Sequence, residues 1–318
     1  MNGQGAGDAG QRRRRPRAAW RRRLRLLQHR TGRLPPTLRG LLWAAAAGFG
    51  FTLLNALMKA LTQQLDPFQA QFLRYLFGLA VLLPLLLRHG LAAYRPRQIG
   101  GQFLRGGVHT LGLFLWFAAL PKIALADTTA IGFTTPIFIM LGAWLFFREP
   151  MRWDRWLASG LGFVGVIVVV APQLTGSGGG GWHLLMLASA PMFAASFLIT
   201  KALTGYERTT VILLWQAITV SLFSLPPALL HWQAPDALQW AGFALCGALG
   251  SAAHYALTRS FTVAEISSTQ SAKFLELVWA ALLGWLIFAA VPSRWTLAGG
   301  ALICAATVWI AHRESRTR

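Results

Sequence analysis

The sequence predicts an all-α integral membrane protein with ten transmembrane helices, arranged as two inverted five-helix repeats. Three observations carry this reading: too little charge for a water-soluble chain, ten apolar stretches of membrane-spanning length, and a second half that repeats the first. Of 318 residues, 55% are hydrophobic and 13% charged, whereas a soluble domain devotes about a quarter of its residues to charge. Most of this chain therefore has no need to face water.

Residues 1–40 read as a basic cytoplasmic tail. Arg12 to Arg15, Arg17, Arg21 to Arg23, Arg25, Arg30, Arg33 and Arg39 fall here, and Asp8 is the only acid before Asp66. A run of like charge cannot bury itself and is expected to be disordered. It lacks the apolar core and small-residue cleavage site of a secretory signal, so it is expected to be retained. Near a bilayer such a run is drawn to anionic lipid by about 1 kcal/mol per residue. That suffices to explain it without nucleic acid, for which no folded reader motif is present.

A bilayer core requires ~20 mostly apolar residues per helix. Candidate spans lie at 41–61, 67–87, 103–121, 126–147 and 154–171, then at 182–203, 209–230, 238–258, 265–288 and 294–312. Between the two sets stands the flexible linker "PQLTGSGGGG", Pro172–Gly181. Lys and Arg accumulate on cytoplasmic loops. Arg88, Arg95, Arg97 and Arg105 follow the second span, Arg148, Arg152 and Arg155 the fourth, Lys201 and Arg208 the sixth, and Arg259 the eighth. The alternate loops "TQQLDP", "PQLTGSGGGG" and "HWQAPDAL" carry neither residue, and only Lys122 and Arg294 fall on the wrong side. Both termini, including residues 313–318, are expected in the cytoplasm. Trp153, Trp156, Trp182, Trp240 and Trp295 sit near expected helix ends, where indoles favour the headgroup level.

"KALT" occurs at Lys59–Thr62 and again at Lys201–Thr204. At the same offset Leu42, Ala46 and Phe51 recur as Leu184, Ala188 and Phe193, and Pro84 recurs as Pro226. After a slightly shorter loop, Gly112 is matched by Gly250, Ala126 by Ala264 and Asp127 by Glu265. The repeats are bounded at 41–171 and 182–312. Because five spans is an odd number, the second copy enters the membrane inverted. Inverted repeats are a recurring construction of secondary transporters, with substrate sites near the bilayer midplane.

The segments "NALMKALTQQLDPFQAQFLRYLFGLAVLLP", "ADTTAIGFTTPIFIMLGAWLFFREP" and "LLGWLIF" resemble the drug/metabolite transporter superfamily, in particular its EamA-type members. The resemblance implies movement of a small organic metabolite across the bacterial inner membrane by alternating access. Its substrate classes would be amino-acid-like, nucleobase-like, riboflavin or S-adenosylmethionine. "FREP" keeps Glu149 at the end of the fourth span, whereas the second half reads "FAAVP" with no acid.

Candidate cavity residues are the polar and aromatic side chains within spans. They are Asn55 in the first, Gln71 and Arg74 in the second, Trp116 in the third and Thr135 in the fourth. Trp215 and Gln216 lie in the seventh, His254 in the eighth, and Gln270, Lys273 and Glu276 in the ninth. Thr128, Thr135 and Gly142 form a heptad stripe, and the offset maps Thr135 onto Lys273. Small positions on such a stripe serve equally as a packing seam. An intramembrane charge usually faces a cavity or a partner. Lys273 would attract a carboxylate or phosphate, and Glu276 an amine or coupling proton, unless the two form an i,i+3 pair. His254 titrates nearest cytoplasmic pH and is either a coupling site or a packed, hydrogen-bonded residue. Arg74 is either a substrate contact or a structural ion pair.

No cofactor or metal is expected. Cys246 and Cys304 both lie in apolar stretches, without disulfide or ligand spacing. No nucleotide-hydrolysis or metalloprotease motif is present. The alternatives are an integral-membrane enzyme, disfavoured by seven histidines scattered without close pairs, or a lipid or signalling membrane protein without transport activity. Small-residue faces leave a homodimer open. Deleting residues 1–38 is expected to leave transport by correctly inserted protein largely intact; loss of uptake in such protein would give the tail a function.

Overall fold

The protein is seen in a computed structural model that describes residues 34–122, 128, 131–132, 134–149, 153–174, 180–273, 275–288 and 294–316. Its helices are α1 Pro36–Thr62, α2 Pro67–His89, α3 Ile99–Ala119, α4 Thr135–Phe147, α5 Trp153–Leu174, α6 Gly180–Leu203, α7 Thr209–Leu230, α8 Ala237–Val263, α9 Ile266–Lys273, α10 Leu275–Phe288 and α11 Arg294–Arg316. Short 3₁₀ turns at Leu91–Tyr94 and Leu120–Lys122 precede and follow α3. Among the described residues, five helices are long and apolar enough to cross a membrane: Pro36–Thr62, Pro67–His89, Ile99–Lys122, Gly181–Leu203 and Thr209–Leu230. Thr135–Phe147, Trp156–Gly165 and Val278–Ile287 are apolar but shorter within the described residues.

Local chemistry sets the helix starts. Asp66 accepts from Phe68 N and Gln69 N at 2.9 and 3.0 Å ahead of Pro67, an N-cap followed by the residue preorganised for a first turn. Asp236 and Gln239 form a reciprocal capping box at α8. The first helix starts at Pro36, so the end of the expected tail, Arg39 included, is helical. Residues Pro172–Leu174 and Gly180–Gly181 of the expected linker are helical too; 175–179, like the arginine run at 1–33, lie outside the described residues. Pro84, Pro191, Pro226 and Pro227 stand inside helices.

The main helix pairs are α1 with α8, α3 with α6, α2 with α7 and α5 with α11. Exchanging the halves turns the first pair into the second and returns the other two unchanged. The duplication read from the sequence therefore reappears as the packing scheme, with each half leaning chiefly on the other. Close approach depends on small residues. A Cβ on Gly247 of α8 would stand 2.6 Å from Phe77 C and 2.7 Å from Gly78 N of α2.

The repeated KALT has one physical job in both places. Lys59 Nζ donates to Leu120 O at 3.2 Å, and Lys201 Nζ donates to Phe261 O and Ala264 O at 2.8 Å each. Each lysine thus reaches from the first helix of its half to the C-terminal carbonyls of the third, which have no intrahelical partner. Thr62 and Thr204 both return their hydroxyls to the lysine carbonyl one turn back, at 3.2 and 2.6 Å. Glu149 Oε1 accepts from Ile266 N at 3.1 Å, so the unrepeated acid sits at the start of α9.

Large apolar side chains such as Leu87, Leu145, Phe146, Leu229, Leu245, Leu282 and Leu286 lie on the outside, as a lipid-facing surface requires. Gly247→Ala is expected to cost about 1–3 kcal/mol, the usual penalty of overpacking, because backbone opposes the new methyl. Gly160→Ala, with no atom of the described residues within 4 Å, is the neutral comparison; thermal unfolding in detergent measures both.

Candidate functional site

Both halves build a central cavity enclosing about 1070 Å³ of empty space, open solvent included. Its wall takes Gly48, Phe51 and Asn55 from α1, Arg74 from α2, His109 and Trp116 from α3 and Thr135 from α4. The second half supplies Phe193 and Phe197 from α6, His254 from α8, Thr269 from α9 and Glu276 from α10. Much of the surface is aromatic: Phe193 stacks on Phe197 at 6.4 Å, Trp116 meets Phe193 edge-on at 5.8 Å, and Phe51 meets His254 at 4.8 Å. Edges and faces of this kind suit a flat ring.

Arg74 is 5% exposed, and its guanidinium carbon lies 4.6 Å from the centre of the Tyr75 ring. Among the described residues it has neither hydrogen-bond nor ion-pair partner. Asn55, half-buried, has none either. A buried charge without an acceptor is costly, and Arg74 lines the cavity. Glu276, also half-buried, lies over Gly48, where an added Cβ would come within 2.9 Å of its Cγ.

Behind the wall runs a buried polar network. Arg105 is 1% exposed and donates to Thr200 Oγ1 at 2.5 Å, Ile212 O at 3.3 Å and Gln216 Oε1 at 2.7 Å. Gln216 Nε2 lies 3.5 Å from Tyr75 Oη and 3.3 Å from His254 Nε2. Tyr75 Oη lies 3.0 Å from His109 Nε2 and 3.5 Å from His254 Nε2, and His109 Nδ1 pairs with Ser196 Oγ at 3.1 Å. Three helices of the second half are tied here to two of the first.

Of the sequence candidates, Asn55, Arg74, Trp116, Thr135, His254 and Glu276 come together on the cavity wall. Gln216 is 2% exposed and sits behind it, in the network. Trp215 is not on the wall: its indole donates to Tyr94 O at 3.0 Å, fastening α7 to the turn before α3. Gln71 also stands apart, donating to Ser224 Oγ at 2.7 Å. Gln270 and Lys273 belong to α9 by backbone, but their side chains lie outside the described residues. Gly142 is a packing position, since a Cβ there would meet the Leu198 side chain at 2.2 Å.

Two residues escaped the sequence reading. Arg105 counts there among cytoplasmic loop charges, yet it is buried within α3. His109 was one of the scattered histidines, yet the fold brings its ring to 5.5 Å from that of His254. The available signal was the i,i+4 spacing of Arg105 and His109, which puts both on one face of a helix.

The EamA-like transporter family matches residues 38–171 and matches again at 180–311. The chain belongs to that family. A riboflavin transporter of Rhizobium johnstonii is 36% identical over 281 residues, 87% of this chain and 92% of the relative. An S-adenosylmethionine uptake transporter of Rickettsia prowazekii is 26% identical over 280 residues, 88% and 95% of the two chains. A solved crystal structure superposes with a TM-score of 0.73 over 87% of this chain and 97% of its own, at 19% identity, a likeness of fold alone. The EamA-like unit thus occurs twice, and the cavity lies where its two copies meet.

Gln216→Leu deprives Arg105 of a charge-assisted acceptor. It is expected to cost about 1.5–3 kcal/mol, against about 0.5–1.5 kcal/mol for Trp215→Phe, which loses one neutral bond. Thermal unfolding in detergent ranks the pair; equal losses would mean that the network is not under tension from Arg105.

Proposed function

We propose that this protein is a secondary transporter carrying a small organic metabolite across the bacterial inner membrane. In this reading ten spans form two inverted repeats, both termini are cytoplasmic, and rocking of one half against the other opens the central cavity to each side in turn. The observation that carries it is the cavity itself, lined from both halves and presenting among aromatic rings an Arg74 and an Asn55 that have no partner among the described residues. The transporter names of the relatives support a carrier over an enzyme.

The wall favours a compound with a flat or apolar ring and an anionic or strongly accepting edge. The ring would lie among Phe51, Trp116, Phe193 and Phe197, the edge would meet Arg74 and Asn55, and Glu276 would receive a cationic or donor group. Thr135, Gln270 and Lys273 remain proposed contacts of the same site. Riboflavin, S-adenosylmethionine, nucleobase-like and amino-acid-like compounds all meet some of these requirements, and the names of two relatives put the first two foremost. The arginine tail would rest on anionic lipid.

Counterflow in proteoliposomes loaded with pooled amino acids, nucleosides, riboflavin and S-adenosylmethionine tests the reading. Exchange of at least one labelled compound is expected. Arg74→Gln removes a charge-assisted bond of about 1.5–3 kcal/mol, so KM should rise ~10- to 100-fold in protein that still inserts. An unchanged KM would exclude Arg74 from substrate contact, and no exchange from any pool would exclude the transport reading.

A further inference from the structure

The hydrogen-bond network takes a direction from Arg105. Arginine can only donate. Gln216 must therefore turn its oxygen to Arg105, which leaves its amide N–H groups facing Tyr75 Oη and His254 Nε2. His254 Nε2 accepts, so the proton of that ring is on Nδ1. Tyr75 has one hydrogen, and the nearer ring nitrogen is His109 Nε2, at 3.0 Å against 3.5 Å for His254 Nε2. With that shorter contact taken as the donation, His109 Nε2 accepts and its Nδ1–H donates to Ser196 Oγ. In this arrangement both imidazoles are neutral.

This arrangement admits one additional proton by a defined route. A proton added at His109 Nε2 makes that nitrogen a donor, and Tyr75 Oη answers by rotating its hydrogen toward His254 Nε2. In the transfer step the His109 Nε2–H bond breaks as a new Oη–H bond forms, while the former Oη–H bond breaks as a His254 Nε2–H bond forms. One positive charge passes from the first ring to the second, and Tyr75 ends as it began. His254 Nε2–H then opposes the Gln216 amide, donor against donor, so Gln216 must turn away. The signal reaches α7 and the Arg105 contacts that hold the halves together.

Position suits this chemistry. Both rings line the central cavity. His254, Tyr75, Arg74 and Gln216 also line a second, smaller void of about 280 Å³ between α2, α7 and α8. His254 and Arg74 thus belong to the walls of both spaces. Among the described residues, the charged and titratable groups around the pair are Arg74 and Tyr75 on α2 and Arg105 on α3, with Glu276 on α10 lining the same cavity. Two arginines already bring positive charge to the site, so an additional proton is best accommodated when an anionic group occupies the cavity beside Arg74.

We infer that His109, Tyr75 and His254 form a proton relay that couples substrate movement to the proton gradient, in the same direction as the substrate. The inference rests on the transport reading above. Its test uses the full chain in proteoliposomes with pyranine inside, to which the pooled amino acids, nucleosides, riboflavin and S-adenosylmethionine are added, with counterflow measured on the same vesicles. Wild type should exchange and should acidify the lumen on addition. Tyr75→Phe, which keeps the ring and removes the relaying oxygen, should retain exchange and lose acidification ~10-fold or more, and His254→Gln should lose acidification as well. Wild-type exchange without acidification, or acidification that survives both changes, overturns the relay. Absence of wild-type exchange overturns the transport reading instead, and the relay with it. In nanodiscs, ¹⁵N-histidine spectra assigned by difference with H109Q and H254Q should show both rings as Nδ1–H tautomers at neutral pH; Nε2–H on either ring refutes the route.

Discussion

A guanidinium sealed among helices can only give hydrogen bonds, and it loses several kcal/mol if its acceptors are withdrawn. Arg105 is in that position, and its acceptors Thr200, Ile212 and Gln216 all belong to the second half of the chain. This demand orients Gln216, whose amide N–H groups then face Tyr75 and His254, and through Tyr75 the network extends to His109 and Ser196. The register of α3 against α6 and α7 is thereby specified by polar complementarity. Apolar packing alone would leave those helices free to slide, since lipid tails compete with side chains for the same contacts.

The cavity follows from the same arrangement. With Arg105 satisfied by protein groups and Arg74 without a partner among the described residues, two arginines of similar burial differ in their surroundings, one fixed in the network and one on the cavity wall. The aromatic lining comes from both halves and needs no polar partners, so it tolerates the relative movement that a carrier requires. The network behind it is strict about geometry and suits a state that is either fully formed or broken.

Five membrane-length helices and the duplication were legible because both are written in local composition: apolar runs and matching neighbours around KALT. The wall was legible in part. Asn55, Arg74, Thr135, His254 and Glu276 announce themselves as polar residues in apolar runs, and the fold gathers them. The histidine pair was not legible, because His109 and His254 meet only through the packing of α3 and α8 around Tyr75, and pairing of that kind leaves no mark in either segment. Arg105 misled for a different reason. It stands near the start of its helix, where counting basic residues reads a loop, and its burial depends on acceptors on α6 and α7. Trp215 was attractive as an aromatic beside Gln216, but neighbours on a helix point about 100° apart, and only Gln216 turns toward the network.

The lysine joints have a bearing on how a duplicated chain grows apart. Lys59 and Lys201 donate to main-chain carbonyls at Leu120, Phe261 and Ala264, and a main-chain oxygen is supplied by any residue type. The receiving end can therefore change its side chains freely while the bond persists. A partnership that depends on one side only survives drift that would dissolve a matched pair. The same four letters therefore serve at both joints, whatever side chains their acceptors carry.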